Sequence, residues 1–149
     1  MIGQHLKLFA SLNRHGVEYL LIGGALAIAY GVPRVTKDVD LFLNPDLDNA
    51  KKCLVALKEV GLGTADLTTA EEICQTEVTI LKDVVRLDLL TQVKGLTFGD
   101  SWRKKVLLEL EGVRIPALCL EHLIQSKKAA ARSGDLEDIK ILEMARRKK

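Results

Sequence analysis

Two aspartates one residue apart, Asp38 and Asp40, follow a paired glycine, Gly23-Gly24, in the stretch LLIGGALAIAYGVPRVTKDVDLFL at residues 20–43. Side chains alternate between the faces of a strand, so in an extended segment Asp38 and Asp40 project together while Val39, Leu41 and Leu43 face the core. Like charges roughly 7 Å apart on one strand face repel, and a divalent cation between them removes that repulsion. Magnesium, or manganese in its place, suits such a position, because it takes hard oxygen ligands and completes its shell with substrate phosphates and waters. The alternation in residues 84–90, VVRLDLL, offers a third carboxylate, with Arg86 and Asp88 on one face and Val85, Leu87 and Leu89 on the other. Three carboxylates can hold two metals about 4 Å apart, which stabilise the attacking and leaving oxygens of an in-line phosphoryl displacement.

These groups need elements to position them. The apolar run Tyr19–Ile22 reads as a buried strand that stops at the glycines, and residues 25–30 have the small, unbranched composition of a tightly packed helix. The glycines then sit at a helix N-terminus, where backbone N–H groups lack partners and the dipole favours negative charge, and the missing Cβ atoms let a phosphate approach the main chain. Arg34, between the glycines and the aspartates, suits a bidentate phosphate contact, and Thr36 a weaker one. Elsewhere the pattern predicts a helix over 2–13 and another capped by Asn44 or Asp46, with Ala50, Leu54, Leu57 and Val60 as its buried stripe and Gly61 as its stop. Gly61-Leu62-Gly63 lacks the third glycine of a dinucleotide loop and reads as that helix stop. Strands are expected over 77–81 and 84–90, with a turn at Lys82-Asp83, and over 105–110 and Val113–Ala117, with a turn at Glu111-Gly112. Helices follow over 121–132 and Asp135–Arg147, broken at Ser133-Gly134, with Asp135 as N-cap.

Gly23-Gly24, the run Arg34-x-Thr36-x-Asp38-x-Asp40 and the later Asp88 together resemble the nucleotidyltransferase fold of the DNA polymerase β superfamily. The resemblance is closest to a bacterial branch with Gly-Gly in place of Gly-Ser, which includes the AbiEii-type abortive-infection toxins and, more distantly, aminoglycoside and lincosamide nucleotidyltransferases. Residues 123–142, LIQSKKAAARSGDLEDIKIL, are similar to small uncharacterised members of that branch. The resemblance implies an α+β nucleotidyltransferase fold, a mixed β-sheet flanked by helices. It divides the chain into a catalytic α/β core at residues 1–118 and a C-terminal helical hairpin at residues 119–149. It also implies a nucleoside triphosphate such as ATP as substrate, with Gly23 and Gly24 holding its phosphates. Asp38 and Asp40 would bind both metals, and Asp88 would bind the catalytic metal and activate the attacking hydroxyl. Basic residues of the tail, Lys127 or Arg132, would reach the triphosphate or the acceptor.

The residues themselves leave alternatives open. Asp88 also suits an ion pair with Arg86, and Lys127, Lys128 and Arg132 suit ion pairs with Asp135 and Asp138 across the helical hairpin. The acceptor is open among RNA, a partner protein and a small molecule. A non-catalytic nucleotide- or metal-binding module, as one half of a toxin–antitoxin pair, is a second class of function, and an interaction protein holding a structural ion is a third.

Composition bounds the answer further. The chain has 149 residues, enough for one domain with a real core, and its 22 basic and 20 acidic residues leave a net charge of +2, too balanced to imply or exclude nucleic acid. Cys53, Cys74 and Cys119 are widely spaced without metal-ligand partners and read as reduced thiols of a cytosolic protein, with no zinc expected. The apolar run at 19–32 falls short of the roughly 20 residues of a membrane span, and no signal-peptide pattern opens the chain, so the expectation is a cytoplasmic protein with no membrane partner. The small size suits an open site, completed by a homodimer partner or suited to a macromolecular acceptor.

Overall fold

The computed structural model of the chain describes residues 2–33 and 35–147. Its strands are β1 (Tyr19–Ile22), β2 (Asp38–Leu43), β3 (Val78–Lys82), β4 (Arg86–Leu90), β5 (Val106–Leu110) and β6 (Val113–Ala117), joined in one sheet of order β3-β4-β2-β1-β6-β5. The β2–β4 and β1–β6 pairs are parallel and the other three antiparallel, which makes the mixed α+β sheet that the sequence led us to expect. Burial explains the central positions of β1 and β2. All four residues of β1 are buried, and in β2 only Asp38 and Asp40 are partly exposed.

The helices are α1 (Ile2–Arg14), α2 (Gly23–Ala29), α3 (Leu47–Glu59), α4 (Ala70–Gln75), α5 (Phe98–Arg103), α6 (Leu120–Ala130) and α7 (Asp135–Arg147). Helix α1 packs on α3 and β6, and the single proton of the Ser11 hydroxyl is shared between the Ala56 carbonyl at 2.8 Å and the Glu59 carboxylate at 2.7 Å, so the two helices are hydrogen-bonded as well as packed. Asp46, not Asn44, caps α3, accepting from the Asn49 N–H. Gly61, at φ +83°, closes α3, with the Leu62 N–H returning to the Leu57 carbonyl; this is the helix stop read from the sequence.

Several boundaries differ from the sequence reading, each for a local reason. Helix α2 begins at Gly23 itself, two residues before the predicted start, because Gly23 turns at φ +73° straight out of β1. Strand β4 begins at Arg86 rather than Val84, because the Asp83 carboxylate accepts the Val84 N–H at 2.8 Å and the Thr64 N–H at 3.1 Å, and this draws residues 83–85 into a turn. Helix α6 ends at Ala130, with Ala131 in the left-handed region at φ +51°. Asp135 is the first residue of α7 rather than its N-cap, and its carboxylate accepts from the Arg132 N–H at 3.0 Å. The sequence reading also lacked α4, α5 and a 3₁₀ turn at Gly63–Leu67. Helix α5 packs on the sheet through aromatic rings, Phe98 lying edge-on to Phe42 at 5.3 Å and stacked on Trp102 at 5.6 Å.

Candidate active site

The register of β2 against β4 decides the site. Asp40 pairs with Asp88 and Asp38 with Arg86, and alternation puts all four side chains on one face of the sheet. On the other side of β2, Ile22 pairs with Asp40, so the residue that leaves β1 next, Gly23, comes to lie against the Asp40 carboxylate. A Cβ at Gly23 would stand 2.9 Å from the Asp40 Cβ, closer than real contacts allow, and its φ of +73° also suits glycine alone. Gly24 is less constrained. A Cβ there would meet Thr36 Cβ at an ordinary 3.7 Å. The paired glycine therefore has unequal members, the first making room for a carboxylate and the second bordering Thr36, whose Oγ1 accepts the Asp38 N–H at 3.2 Å.

The cation among these carboxylates is a side chain. Arg86 Nε stands 3.2 Å from Asp88 Oδ1 and 4.0 Å from Asp38 Oδ2, with Nη2 3.5 Å from Asp88 Oδ2. Among the described residues no cationic side chain stands at contact distance from Asp40. Burial, then the Asp88 charge and a hydrogen bond between the two carboxyls, then the Asp38 charge, push the Asp40 carboxyl up to about 6, against a smaller opposing pull from Arg86. Among the described residues no three acidic, histidine or cysteine side chains close around one point as ligands of an ion would. The donor chemistry nonetheless fits a hard dication, since three carboxylates share the face with one guanidinium, which leaves negative charge uncompensated.

Two open clefts meet at the carboxylates. One, of about 530 Å³, has Asp38, Asp40 and Asp88 on its wall together with Glu77, Gln92 and Lys94. The other, of about 570 Å³, runs past Gly23, Gly24, Thr36, Asp38 and Asp40. Lys127 and Arg132 line both. Strand β6 leads almost directly into α6, and this connection carries Lys127 over the carboxylate end of the sheet. Its ammonium is buried and donates to Asp138 Oδ2 at 3.1 Å, with Asp135 Oδ1 at 3.6 Å. Arg132 pairs with Asp135 at 3.2 Å while its side chain stays 76% exposed, which leaves it free to change partners.

Of the residues singled out in sequence, Gly23, Gly24, Thr36, Asp38, Asp40, Asp88 and Lys127 all come together at these clefts. Arg34 lies outside the described residues. Lys127 makes the ion pairs expected across the helical hairpin and also lines both clefts. Asp88 likewise both pairs with Arg86 and stands beside Asp40. Glu77, Gln92 and Lys94 were missed. Gln92 and Lys94 occupy the loop after β4, where no periodicity marks a side chain as facing a site, and Glu77 was read only as the start of a strand.

A mixed sheet that brings two strand aspartates to a third, beside a glycine turn into a helix, defines a protein of nucleotidyltransferase fold. The chain belongs to the family described as nucleotidyl transferase of unknown function (DUF2204), whose model matches residues 3–149. Among solved structures it is similar to an antigenic nucleotidyltransferase-like protein of Paracoccidioides brasiliensis, at 18% identity and a TM-score of 0.58 over 92% of this chain and 74% of that one. It is also similar to a candidate nucleotidyltransferase of Thermotoga maritima, at 20% identity and a TM-score of 0.53 over 96% of this chain and 90% of that one. At such identities the likeness is one of fold. No curated protein matches the sequence. No helix among the described residues is long and apolar enough to cross a membrane.

Proposed function

We propose that the chain is a metal-dependent nucleotidyltransferase that moves a nucleoside monophosphate from a nucleoside triphosphate to an acceptor hydroxyl. The observation that carries this reading is the register of Asp40 against Asp88, with Asp38 on the same face and Gly23 packed beneath Asp40. Asp38, Asp40 and Asp88 would hold magnesium or manganese. When bound, such an ion neutralises charge on the triphosphate and polarises the phosphoryl group. Asp88 takes the proton of the acceptor hydroxyl, whose oxygen attacks the α-phosphorus as the bond to the bridging oxygen breaks and pyrophosphate departs. Backbone amides at Gly23 and Gly24, with Thr36, face the phosphates, and the charges of Lys127 and Arg132, and of Arg34, favour their binding. The Gly-Gly pair supports a place beside the AbiEii-type branch.

The test is transfer itself. Wild type and Asp40→Asn are incubated with each α-phosphate-labelled nucleoside triphosphate, magnesium or manganese, and total cellular RNA, protein and small metabolites. Label in one of these fractions that disappears with Asp40→Asn establishes the reaction and the class of acceptor. Wild-type turnover by Asp40→Asn removes the carboxylate mechanism.

A further inference from the structure

Arg86 is the charged side chain of the β2–β4 face that the mechanism above does not use. It sits opposite Asp38 and one alternation from Asp88, and its guanidinium touches Asp88 through two nitrogens, at 3.2 and 3.5 Å, while approaching Asp38 at 4.0 Å. The exposures are unequal. Arg86 and Asp38 have side chains 41% and 45% exposed, whereas Asp88 is 16% exposed, so the arginine reaches in from solvent to a carboxylate that is nearly covered. An N–H that donates to a carboxylate oxygen occupies a lone pair that a metal would need, and a guanidinium cannot shed its charge to make room. It can only swing away.

We propose that Arg86 is an exchangeable counter-ion of this site: it offsets part of the charge of Asp38 and Asp88, competes with a divalent cation for the same oxygens, and so weakens metal binding until nucleotide arrives. This rests on the metal-site reading of the three aspartates given above. The competition follows from shared ligands, and its dependence on nucleotide follows from charge. A dication beside a guanidinium adds like charge to a small space, and a triphosphate supplies the negative charge that offsets both. Arg86 acts here as a positioning residue, setting when the carboxylates are available rather than reacting itself.

The experiment measures binding of Mn²⁺ alone, from the electron paramagnetic resonance signal of the free ion, in wild type, Arg86→Gln and Lys82→Gln. Lys82 pairs with Arg86 across the β3–β4 ladder, has no carboxylate of the site as a partner, and lowers net charge by the same amount when substituted. Arg86→Gln is expected to bind Mn²⁺ about tenfold more tightly than wild type, a gain typical of removing one like charge from a partly exposed site. Lys82→Gln should match wild type, and a non-hydrolysable nucleoside triphosphate should narrow the gap between wild type and Arg86→Gln. Arg86→Lys, which keeps the charge and loses the fork, is expected to show a smaller gain and carries the test if the glutamine variant does not fold. Equal or weaker binding by both Arg86 variants, or an equal gain in Lys82→Gln, overturns the proposal while leaving the metal site standing. No Mn²⁺ bound by any of these proteins, with or without nucleotide, overturns both.

Discussion

At the scale of single residues, the site rests on the space of one missing Cβ and on carboxylates that a single guanidinium does not balance. Gly23 is present because the turn out of β1 needs a left-handed residue and because Asp40 fills the place a Cβ would take. Gly23→Ala therefore carries a conformational cost of about 1–2 kcal/mol and displaces a carboxylate as well, whereas Gly24→Ala meets only an ordinary contact. Urea denaturation should show the first variant clearly destabilised and the second close to wild type; equal losses would contradict the asymmetry. The charge makes a separate prediction. Asp40 holds its proton up to about 6 in the folded protein against 3.8 in an unfolded chain, so between those values the folded state binds more protons and stability falls as pH rises. Above about 6 the full cost is present, at most about 3 kcal/mol for a carboxyl raised from 3.8 to about 6, and less for solvent screening in an open cleft. In chelator, Asp40→Asn should thus melt with wild type near pH 4 and above it at pH 7.5. A variant that melts lower at pH 7.5 would mean that Asp40 is not held against the repulsion of its neighbours.

At the scale of elements, what the sequence reveals depends on whether the signal is local. The Asp38–Asp40 face, the Arg86–Asp88 face and the helix stop at Gly61 were legible because a two-residue period and a glycine after an amphipathic stripe are local patterns. Helices α4 and α5 were not read, yet each carries a cap: Thr69 accepts the Glu72 N–H and Thr97 the Asp100 N–H. Their six-residue lengths leave too few turns for a helical period to show. Val84 and Val85 have strand-like composition, and the hydrogen bond that the Val84 N–H donates to the Asp83 carboxylate overrides it. The clamp between α1 and α3 was equally invisible, because its partners lie 44 to 48 residues apart. Glu59 accepts from the Ser11 hydroxyl at 2.7 Å, from Arg14 at 2.6 Å and from His15 at 2.9 Å, and these contacts pull its carboxyl down to about 2 from 4.5. A depressed folded value means that the contribution is complete above 4.5 and lost as pH falls toward 2. Glu59→Gln should therefore lower the urea midpoint at pH 7 and converge on wild type as the medium is acidified through that window. A gap that persists unchanged at pH 2 would assign the loss to packing rather than charge.

At the scale of the whole molecule, strand order is what assembles the site, and strand order was not legible. The two aspartate-bearing strands are separated in sequence by α3, a 3₁₀ turn, α4 and β3, and only burial of β1 and β2 at the centre of the sheet brings β4 alongside β2. The helical hairpin then closes over the same end, and Lys127 ties its two helices together through Asp135 and Asp138, all three side chains buried. This lysine consequently has a part in the fold that must be separated from any part in the reaction. Lys127→Met leaves two carboxylates buried near each other without their ammonium, and breaking a buried pair in this way costs about 3–5 kcal/mol. Loss of transfer in that variant alone would be ambiguous, since a loosened hairpin also moves the cleft wall. Adding Asp135→Asn and Asp138→Asn removes both buried negative charges, at the cost of the Arg132–Asp135 pair, and should recover part of the lost stability in urea. If Lys127 contacts the triphosphate, the triple variant is folded and still bound to metal, yet its KM for the nucleotide rises by at least about tenfold, the scale of one lost charge-assisted contact. If the triple variant instead regains both stability and a wild-type KM, Lys127 belongs to the architecture of the hairpin, and Arg132, exposed and lining both clefts, is the cation of the tail that meets the nucleotide.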